Sequence, residues 1–244
     1  FSLLHSYSND SWYWYDHSMK YNPDGRVGSH KKTNYTAFQL NHMITPKLFY
    51  EFKLAYMENN TGTYLHKDPF AYIIADGSNY AQLVDWYGYE IPIYHDGLPH
   101  EVGDTVYLYI HDRFSENYGS GFFTGGQQKE HTLHRDIDQT FKFDLTWQAN
   151  YNHSFKIGLM GISHNVDHKW RTIRNKYDGQ SNVDYWLYEP EVFGDSTVYA
   201  DIYNVKPYEA AAYFQDKMEF EDMVINFGLR YDYFNPASFY PSDS

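Results

Sequence analysis

The chain contains no cysteine, so neither disulfide bonds nor thiolate chemistry contributes to its stability or function. It also has no stretch that approaches about 18 consecutive apolar residues, which excludes a transmembrane helix. Positive charge is scarce, because 19 lysines and arginines stand against 32 aspartates and glutamates, for a formal net charge of −13. Phosphate backbones repel such a chain, and we predict that it binds no nucleic acid.

Aromatic residues are abundant instead and make up 20% of the 244 residues. Many of them lie in segments that alternate between apolar and polar side chains, of which residues 223–233 are the clearest. Their odd positions are Met223, Ile225, Phe227, Leu229, Tyr231 and Tyr233, and their even positions include Asn226, Gly228, Arg230 and Asp232. Alternation with a period of two predicts a β-strand.

The length and the two faces of this segment are typical of a strand that crosses a membrane. Strands of soluble proteins usually have about five or six residues, whereas crossing a bilayer takes about 9–11. Membrane barrels turn the apolar face to lipid and the polar face to the lumen, with aromatic residues at the interfaces. A soluble sandwich, which would bury the apolar face in a core, is the alternative.

Further alternating segments predict about seven long strands in an all-β, antiparallel fold. The predicted strands are residues 11–21, 34–44, 48–58, 139–149, 154–164, those before a turn near 219–222, and 223–233. Short turns near 45–47, 150–153 and 219–222 alternate with long loops at about 22–33, 59–135 and 165–205. Outer-membrane barrels have this asymmetry, so we predict that residues 1–244 are a segment of one partial transmembrane β-barrel with long extracellular loops.

The two faces of the predicted strands supply two groups of residues. The polar residues predicted to face the lumen are Glu51, Lys53, Lys142, Asp144, Asn226, Arg230 and Asp232. The side chains predicted to point away from the lumen are Phe141, Phe143, Trp147, Phe155, Ile157, Ile225, Phe227 and Leu229. We expect Arg230 and Asp232 to form ion pairs with Glu209 or Lys217 on the neighbouring strand.

Aromatic residues in the predicted loops are the candidates for ligand binding: Trp86, Tyr87, Tyr89, Trp186 and Tyr188. Such rings offer large, rigid contact surfaces to sugars, siderophores and peptide side chains. Packing of the loops against one another is their alternative role. The sequence has no G-x-S-x-G, P-loop or H-E-x-x-H motif, so we predict no enzyme and no catalytic residue. The histidines lack the spacing of a metal site, and no metal or cofactor is predicted.

Several short sequences carry a resemblance to a known family. AYFQDK at residues 212–217 and GLRYD at 228–232 lie in the last two predicted strands. With Asn41-His42, Thr45-Pro46 and Phe49-Tyr50-Glu51 in an earlier hairpin, they resemble the barrel strands of TonB-dependent outer-membrane receptors, the hairpin being similar to Bacteroidetes-type members. The resemblance implies a receptor in the bacterial outer membrane that takes up a scarce siderophore, cobalamin, glycan or peptide. The implied partners are outer-membrane lipid, that nutrient and a TonB-type energy-coupling protein, which would contact regions outside this sequence.

The chain departs from the pattern of this family because it contains no TonB box, no plug domain and no terminal barrel strand. Large transporters of this type have about 22 strands, so seven strands would form a middle slice that cannot close around a plug. We therefore expect a segment of a longer protein. The alternative function is a soluble or surface-exposed β-sandwich that binds carbohydrate or acts as an adhesin. A third possibility, a small outer-membrane enzyme, lacks any visible catalytic constellation.

Overall fold

The computed structural model describes residues 1–77, 81–84, 90–94, 96, 98, 100–111, 121–181 and 187–238. Strands account for 62% of the chain and helices for 3%, which confirms the predicted all-β fold. The strands are β1 (Ser2–Trp12), β2 (Gly28–Thr45), β3 (Leu48–Tyr64), β4 (Tyr72–Ile74), β5 (Ala81–Val84), β6 (Glu90–Ile93), β7 (Thr105–Tyr107), β8 (Glu130–Gln148), β9 (His153–Thr172), β10 (Arg174–Asn175), β11 (Pro190–Glu191), β12 (Ala200–Val205), β13 (Tyr208–Phe220) and β14 (Met223–Asn235). Within the described ranges, no helix has the length and apolar character to span a bilayer.

One large antiparallel sheet dominates the structure. Its strands follow the order β1-β2-β3-β8-β9-β13-β14, and β12 also pairs with β9. β12 and β13 lie end to end beside β9, because Pro207 has no N–H to donate and interrupts the ladder. The eight strands therefore fill seven positions, as many as the long strands predicted. Antiparallel pairing is confirmed, but no closed barrel is found among the described residues, and the barrel stays a prediction.

The connections between neighbouring strands of this sheet alternate between short and long. The short turns, at residues 46–47, 149–152 and 221–222, define the turn end of the sheet. The long connections, at residues 13–27, 65–129 and 173–199, define its loop end. The predicted asymmetry is confirmed, and all the large excursions of the chain lie at one end of the sheet.

The predicted strand at residues 11–21 is wrong. The first strand is β1, which pairs with residues 29–39 of β2 and ends at Trp12. Beyond it, the Asp16 carboxylate accepts a 2.9 Å hydrogen bond from the Ser18 N–H and caps a 3-10 helix at His17–Met19; a second follows at Pro23–Gly25. The aromatic residues at 12–15 do not mark a strand, because they occupy consecutive positions without alternating with polar residues.

The second and third long loops are shorter than predicted, because the strands continue beyond their amphipathic parts, and the first lies earlier in the chain, at residues 13–27. β2 begins at Gly28, β3 runs to Tyr64, β8 begins at Glu130 and β9 runs to Thr172, all inside the predicted loops at 22–33, 59–135 and 165–205. Both faces of these extensions carry polar side chains, so no hydropathy pattern marks them. Pairing of backbone N–H and C=O groups between strands continues regardless of side-chain polarity.

The long connection between β3 and β8 contains a small core of its own. β4 pairs with β7, and Ala75, Tyr94 and Val106 form a buried cluster against which Ile73 packs. The predicted loop at residues 59–135 therefore contains short strands, including β7. Buried hydrophobic side chains of the described residues are concentrated in the connections, whereas the large sheet contributes few.

His131 of β8 attaches this connection to the sheet. Its side chain is buried, its Nε2 donates a 2.9 Å hydrogen bond to the Lys67 carbonyl, and its ring stacks on Tyr64 at 5.4 Å between centroids. Burial lowers the pKa of His131 from its ordinary value of 6.5. The folded protein therefore keeps the ring neutral at a pH at which the unfolded chain already takes up a proton.

We predict that this attachment weakens in acid. A histidine whose folded pKa is depressed contributes fully above its unfolded pKa, here about 6.5, and loses that contribution as the pH falls below it. Hydrogen-exchange protection factors of the amides of residues 65–68 should thus drop between about pH 7.5 and about pH 5.5. The variant His131→Phe keeps a ring but cannot titrate, so its protection should change less with pH. Equal pH dependence in both proteins would contradict the prediction.

Candidate functional site: the two faces of the sheet

Direct cross-strand partners in the large sheet point to the same face and form rows across it. One row contains Leu3, Phe38, Leu54, Phe141, Gly161, Ala210 and Tyr233, and the next row toward the turn end contains Leu40, Phe52, Phe143, Leu159, Ala212 and Tyr231. Further rows on this face reach Ile157 with Leu229, and Phe155 with Phe227. We call this face the apolar band, from the turn end of the sheet to the row of Tyr56, which is the next row beyond Leu54.

The eight side chains predicted to point away from the lumen all lie on the apolar band. None is buried: Leu229 is 69% exposed, Phe227 is 54% exposed, and only Phe143 and Phe155 are half-buried. Their exposed area distinguishes this sheet from half of a sandwich, in which a second layer would cover such residues. In the described part of the chain, no second layer of protein buries this face.

The seven polar residues predicted for the lumen all lie on the opposite face, which we call the polar face. One row there contains Asn41, Glu51, Asp144, Gly158, Tyr213 and Arg230, and the adjacent row contains Gln39, Lys53, Lys142, Met160, Ala211 and Asp232. Asn226 shares this face nearer the turn end, opposite Lys217. These polar side chains share one face, as predicted. That this face lines a lumen stays a prediction.

Side chains of these two rows are linked by hydrogen bonds and ion pairs. Asp144 is the centre, since one carboxylate oxygen accepts from the Tyr213 hydroxyl at 2.8 Å and the other pairs with Lys142 Nζ at 2.8 Å. Farther along, Gln39 Nε2 donates to a Glu51 oxygen at 2.7 Å. Because oppositely charged and polar groups satisfy one another, this face can stay ordered in contact with water.

The expected pairing of Arg230 and Asp232 with the neighbouring strand is wrong. These two residues bind each other, with guanidinium-to-carboxylate distances of 2.7 to 3.0 Å. They lie two positions apart on the edge strand β14, so their side chains are adjacent on one face. The expected partners are engaged elsewhere, because Glu209 pairs with His164 and Lys217 pairs with Glu219.

Gly158 makes room for the Tyr213 ring at the centre of the polar face. A Cβ atom at Gly158 would lie 1.9 Å from Tyr213 Cε1 and 2.7 Å from an Asp144 oxygen. The tyrosine therefore lies flat across the bare glycine backbone and reaches the carboxylate two strands away. Any side chain at Gly158 displaces this ring.

Histidines and carboxylates continue the polar face toward the loop end. His164 lies between Asp138 at 2.6 Å and Glu209 at 3.2 Å. Nearby, His134 Nδ1 is 3.2 Å from His168 Nδ1, and the His168 ring stacks on Tyr203. The sequence did not reveal these contacts, because the partners are separated by 26 to 45 residues.

Alternation along β8 and β9 places several histidines and carboxylates on opposite faces of the sheet. His131 and His134 lie on opposite faces of β8, and Asp167 lies on the face opposite His164 and His168. His131 and His134 therefore cannot bind the same metal ion. Within the described ranges, no group of three or more acidic or histidine side chains is arranged to hold a metal.

Of the five candidate ligand-binding aromatic residues, Trp86, Tyr87, Tyr89 and Trp186 lie outside the described residues. Tyr188 is half-buried, and Lys129 Nζ lies 4.4 Å from its ring centroid. Its ring also borders a cleft of about 310 Å³ in the connections at the loop end. The cleft is lined by Asp96, His100, Val106, Tyr109, His111 and Leu187 among others. Its size lies at the lower limit for small-molecule sites.

Comparison of the chain with protein-family models, with curated proteins and with solved structures gives no match. The two faces of the sheet, the polar network and the cleft at the loop end are therefore the features from which function is inferred.

We predict that Gly158→Ala destabilises the protein by about 1–3 kcal/mol, the usual cost of forcing extra atoms into a packed site. The matched control is Gly161→Ala on the same strand, where an added Cβ meets nothing within 4 Å. Free energies of unfolding measured in denaturant should separate the two variants. If both unfold at the same concentration as the wild type, Tyr213 does not depend on Gly158 as described.

Proposed function

We propose that the chain is part of the β-barrel of an outer-membrane receptor of the TonB-dependent kind, which imports a scarce nutrient into a bacterium. The single observation that carries this proposal is the apolar band. It crosses all seven positions of one continuous sheet, and none of its large apolar side chains is buried in a core. Lipid is the solvent in which such a face is stable.

The height of the apolar band agrees with a bilayer. On β3 it spans residues 48–56, which extend ~27 Å along a strand at about 3.3–3.4 Å per residue. A tilt of about 35–45°, typical of membrane barrels, reduces this to ~20 Å, close to the ~25 Å apolar band of such barrels. Tyr50 and Tyr56 lie near its two limits on this strand, where amphipathic rings are favoured.

The polar face supports the assignment of a lumen. Its paired side chains, with Asp144 at their centre, suit a surface in contact with water or with polar protein groups inside a barrel. The connections at the loop end would then lie outside the cell, where their own buried cluster holds the cleft beside Tyr188 in place. This cleft is the proposed place of first contact with the nutrient.

The uptake role rests on the resemblance of residues 212–217 and 228–232 to receptor barrels, since a fold alone does not give function. In that role, a siderophore, cobalamin, glycan or peptide is the ligand, and a TonB-type protein supplies energy through regions outside this sequence. A soluble carbohydrate-binding sandwich or an adhesin is less well supported, because either would need a protein layer over Phe227 and Leu229.

The membrane assignment predicts that successive residues of β14 alternate between contact with lipid and contact with water. The chain has no cysteine, so single cysteines at positions 224–232 can each carry one nitroxide label without background labelling. Odd positions such as Phe227 should be accessible to oxygen dissolved in lipid, and even positions such as Asn226 to a water-soluble nickel chelate. Electron paramagnetic resonance measures both. Odd positions that exclude both quenchers would show a buried core and contradict the proposal.

The uptake role predicts energy-dependent import. Cells that lack the gene should lose accumulation of one compound from a radiolabelled panel of siderophore, cobalamin, glycan and peptide, and the intact gene should restore it. Accumulation in the wild type should stop when a proton uncoupler is added. Import that persists in the uncoupled cells, or a panel without any difference, would contradict energy-coupled uptake.

A further inference from the structure

A pocket of about 470 Å³ lies on the face of the apolar band but closer to the loop end. Its floor consists of two rows, Asn9, Lys32, Asn60, Arg135 and Asp167, and then Ser11, His30, Gly62, Leu133 and Lys169. These residues are an even number of positions from Phe38, Leu54 and Phe141, so their side chains project from the face that carries the band. We call this cavity the upper pocket.

Positive charge exceeds negative charge in the upper pocket, although the whole chain carries a net charge of −13. Arg135 pairs with Glu58 at 2.8 Å, and Lys169 pairs with Asp167 at 3.2 Å. Lys32 and Lys67 add two ammonium groups, neither of which forms an ion pair within the described ranges. The pocket therefore offers an anion the ammonium groups of Lys32 and Lys67 in addition to the guanidinium of Arg135.

The wall of the upper pocket is held in place by packing. The Tyr64 ring lies over Gly62, where a Cβ atom would be 2.4 Å from the ring, and it stacks on His30 at 4.7 Å and on His131 at 5.4 Å. The hydrogen bond from His131 to the Lys67 carbonyl fixes the backbone of Lys67 beside this stack. The backbone from which the Lys67 side chain extends is thus fixed beside the upper pocket.

A second cavity, an apolar groove of about 640 Å³, lies on the same face nearer the turn end. Phe38, Leu54 and Phe141 form its sides, together with residues of the next row such as Tyr56. Gly161 forms its floor, and the space above this glycine is open, since an added Cβ would meet no atom within 4 Å. The groove and the upper pocket are separated by one row, which contains Glu58.

We propose that the upper pocket and the groove together bind one phosphate-bearing, acylated lipid of the outer leaflet. The phosphate lies among Lys32, Lys67 and Arg135, and an acyl chain fills the groove above Gly161. This site rests on the proposed membrane location, which makes the apolar band lipid-facing. A long cation just beyond a hydrocarbon boundary attracts anionic headgroups and can extend its stem along apolar surface.

The distance between the two cavities suits such a molecule. Asn60 lies six residues beyond Leu54, which is ~20 Å along the strand and ~15 Å in height at the tilt of a membrane barrel. Arg135 shortens this distance, because its side chain reaches back toward the band to meet Glu58. A headgroup on the pocket and a chain in the groove can therefore belong to one lipid.

The test uses the protein purified in detergent from the membranes of cells that make it, with purified lipid A, a bisphosphorylated acylated lipid, as the probe. Native mass spectrometry counts bound lipid A during a titration. Lys32→Gln and Lys67→Gln should each weaken binding about fivefold, the effect of one cation near an anionic lipid surface. Gly161→Leu should weaken it by more than about tenfold, because it fills the space of several methylene groups.

Lys31→Gln is the matched control, since Lys31 adjoins Lys32 on β2 but belongs to the opposite face. It should bind lipid A as the wild type does. Equal binding by the Lys31, Lys32 and Lys67 variants overturns the site, as does binding of inorganic phosphate as strong as that of lipid A. Detection of a second copy of the chain, bound in place of lipid A, also overturns the site. Flotation of the wild type with vesicles distinguishes the two proposals. If the protein floats but does not bind lipid A selectively, only the lipid site is overturned. If the protein does not float, both the membrane location and the lipid site are overturned.

Discussion

The antiparallel register from β2 to β14 is the constraint on which the rest of the structure depends. Successive side chains of a strand point to opposite faces, so a slip of one residue in any pair would exchange the apolar band and the polar face. The short turns at residues 46–47, 149–152 and 221–222 leave little freedom for such a slip. Because the register holds, Phe227 and Leu229 share one surface, while Asn226 and Arg230 share the other.

The sheet divides into two zones along its strands. Near the turns its faces differ, one apolar and one polar, whereas near the loop end polar groups such as Lys32 and His134 occupy both faces. In the proposed membrane location, this change in composition corresponds to a change of surroundings along the strand, from hydrocarbon to water. The connections at the loop end add a buried cluster around Val106, so they have a core that the sheet lacks.

The polar face and the upper pocket share one structural feature, a tyrosine ring that lies across a glycine. Tyr213 crosses Gly158 to reach Asp144 on the polar face, and Tyr64 crosses Gly62 to stack between His30 and His131 on the other. A glycine in a strand loses packing and backbone entropy, a cost that these rings offset by covering the exposed backbone. Both sites therefore depend on residues that pack and hydrogen-bond across strands.

The sequence by itself determined six of the long strands, their two faces and the alternation of short and long connections, because a period of two and turn residues are local signals. Tertiary structure alone decided the full extent of the strands, since polar extensions such as residues 59–64 carry no hydropathy pattern and are held by backbone pairing. It also decided the partners of His164 and Tyr213. These contacts join side chains from different strands. They are therefore decided by strand register and by the available space, and not by the neighbouring residues in the chain.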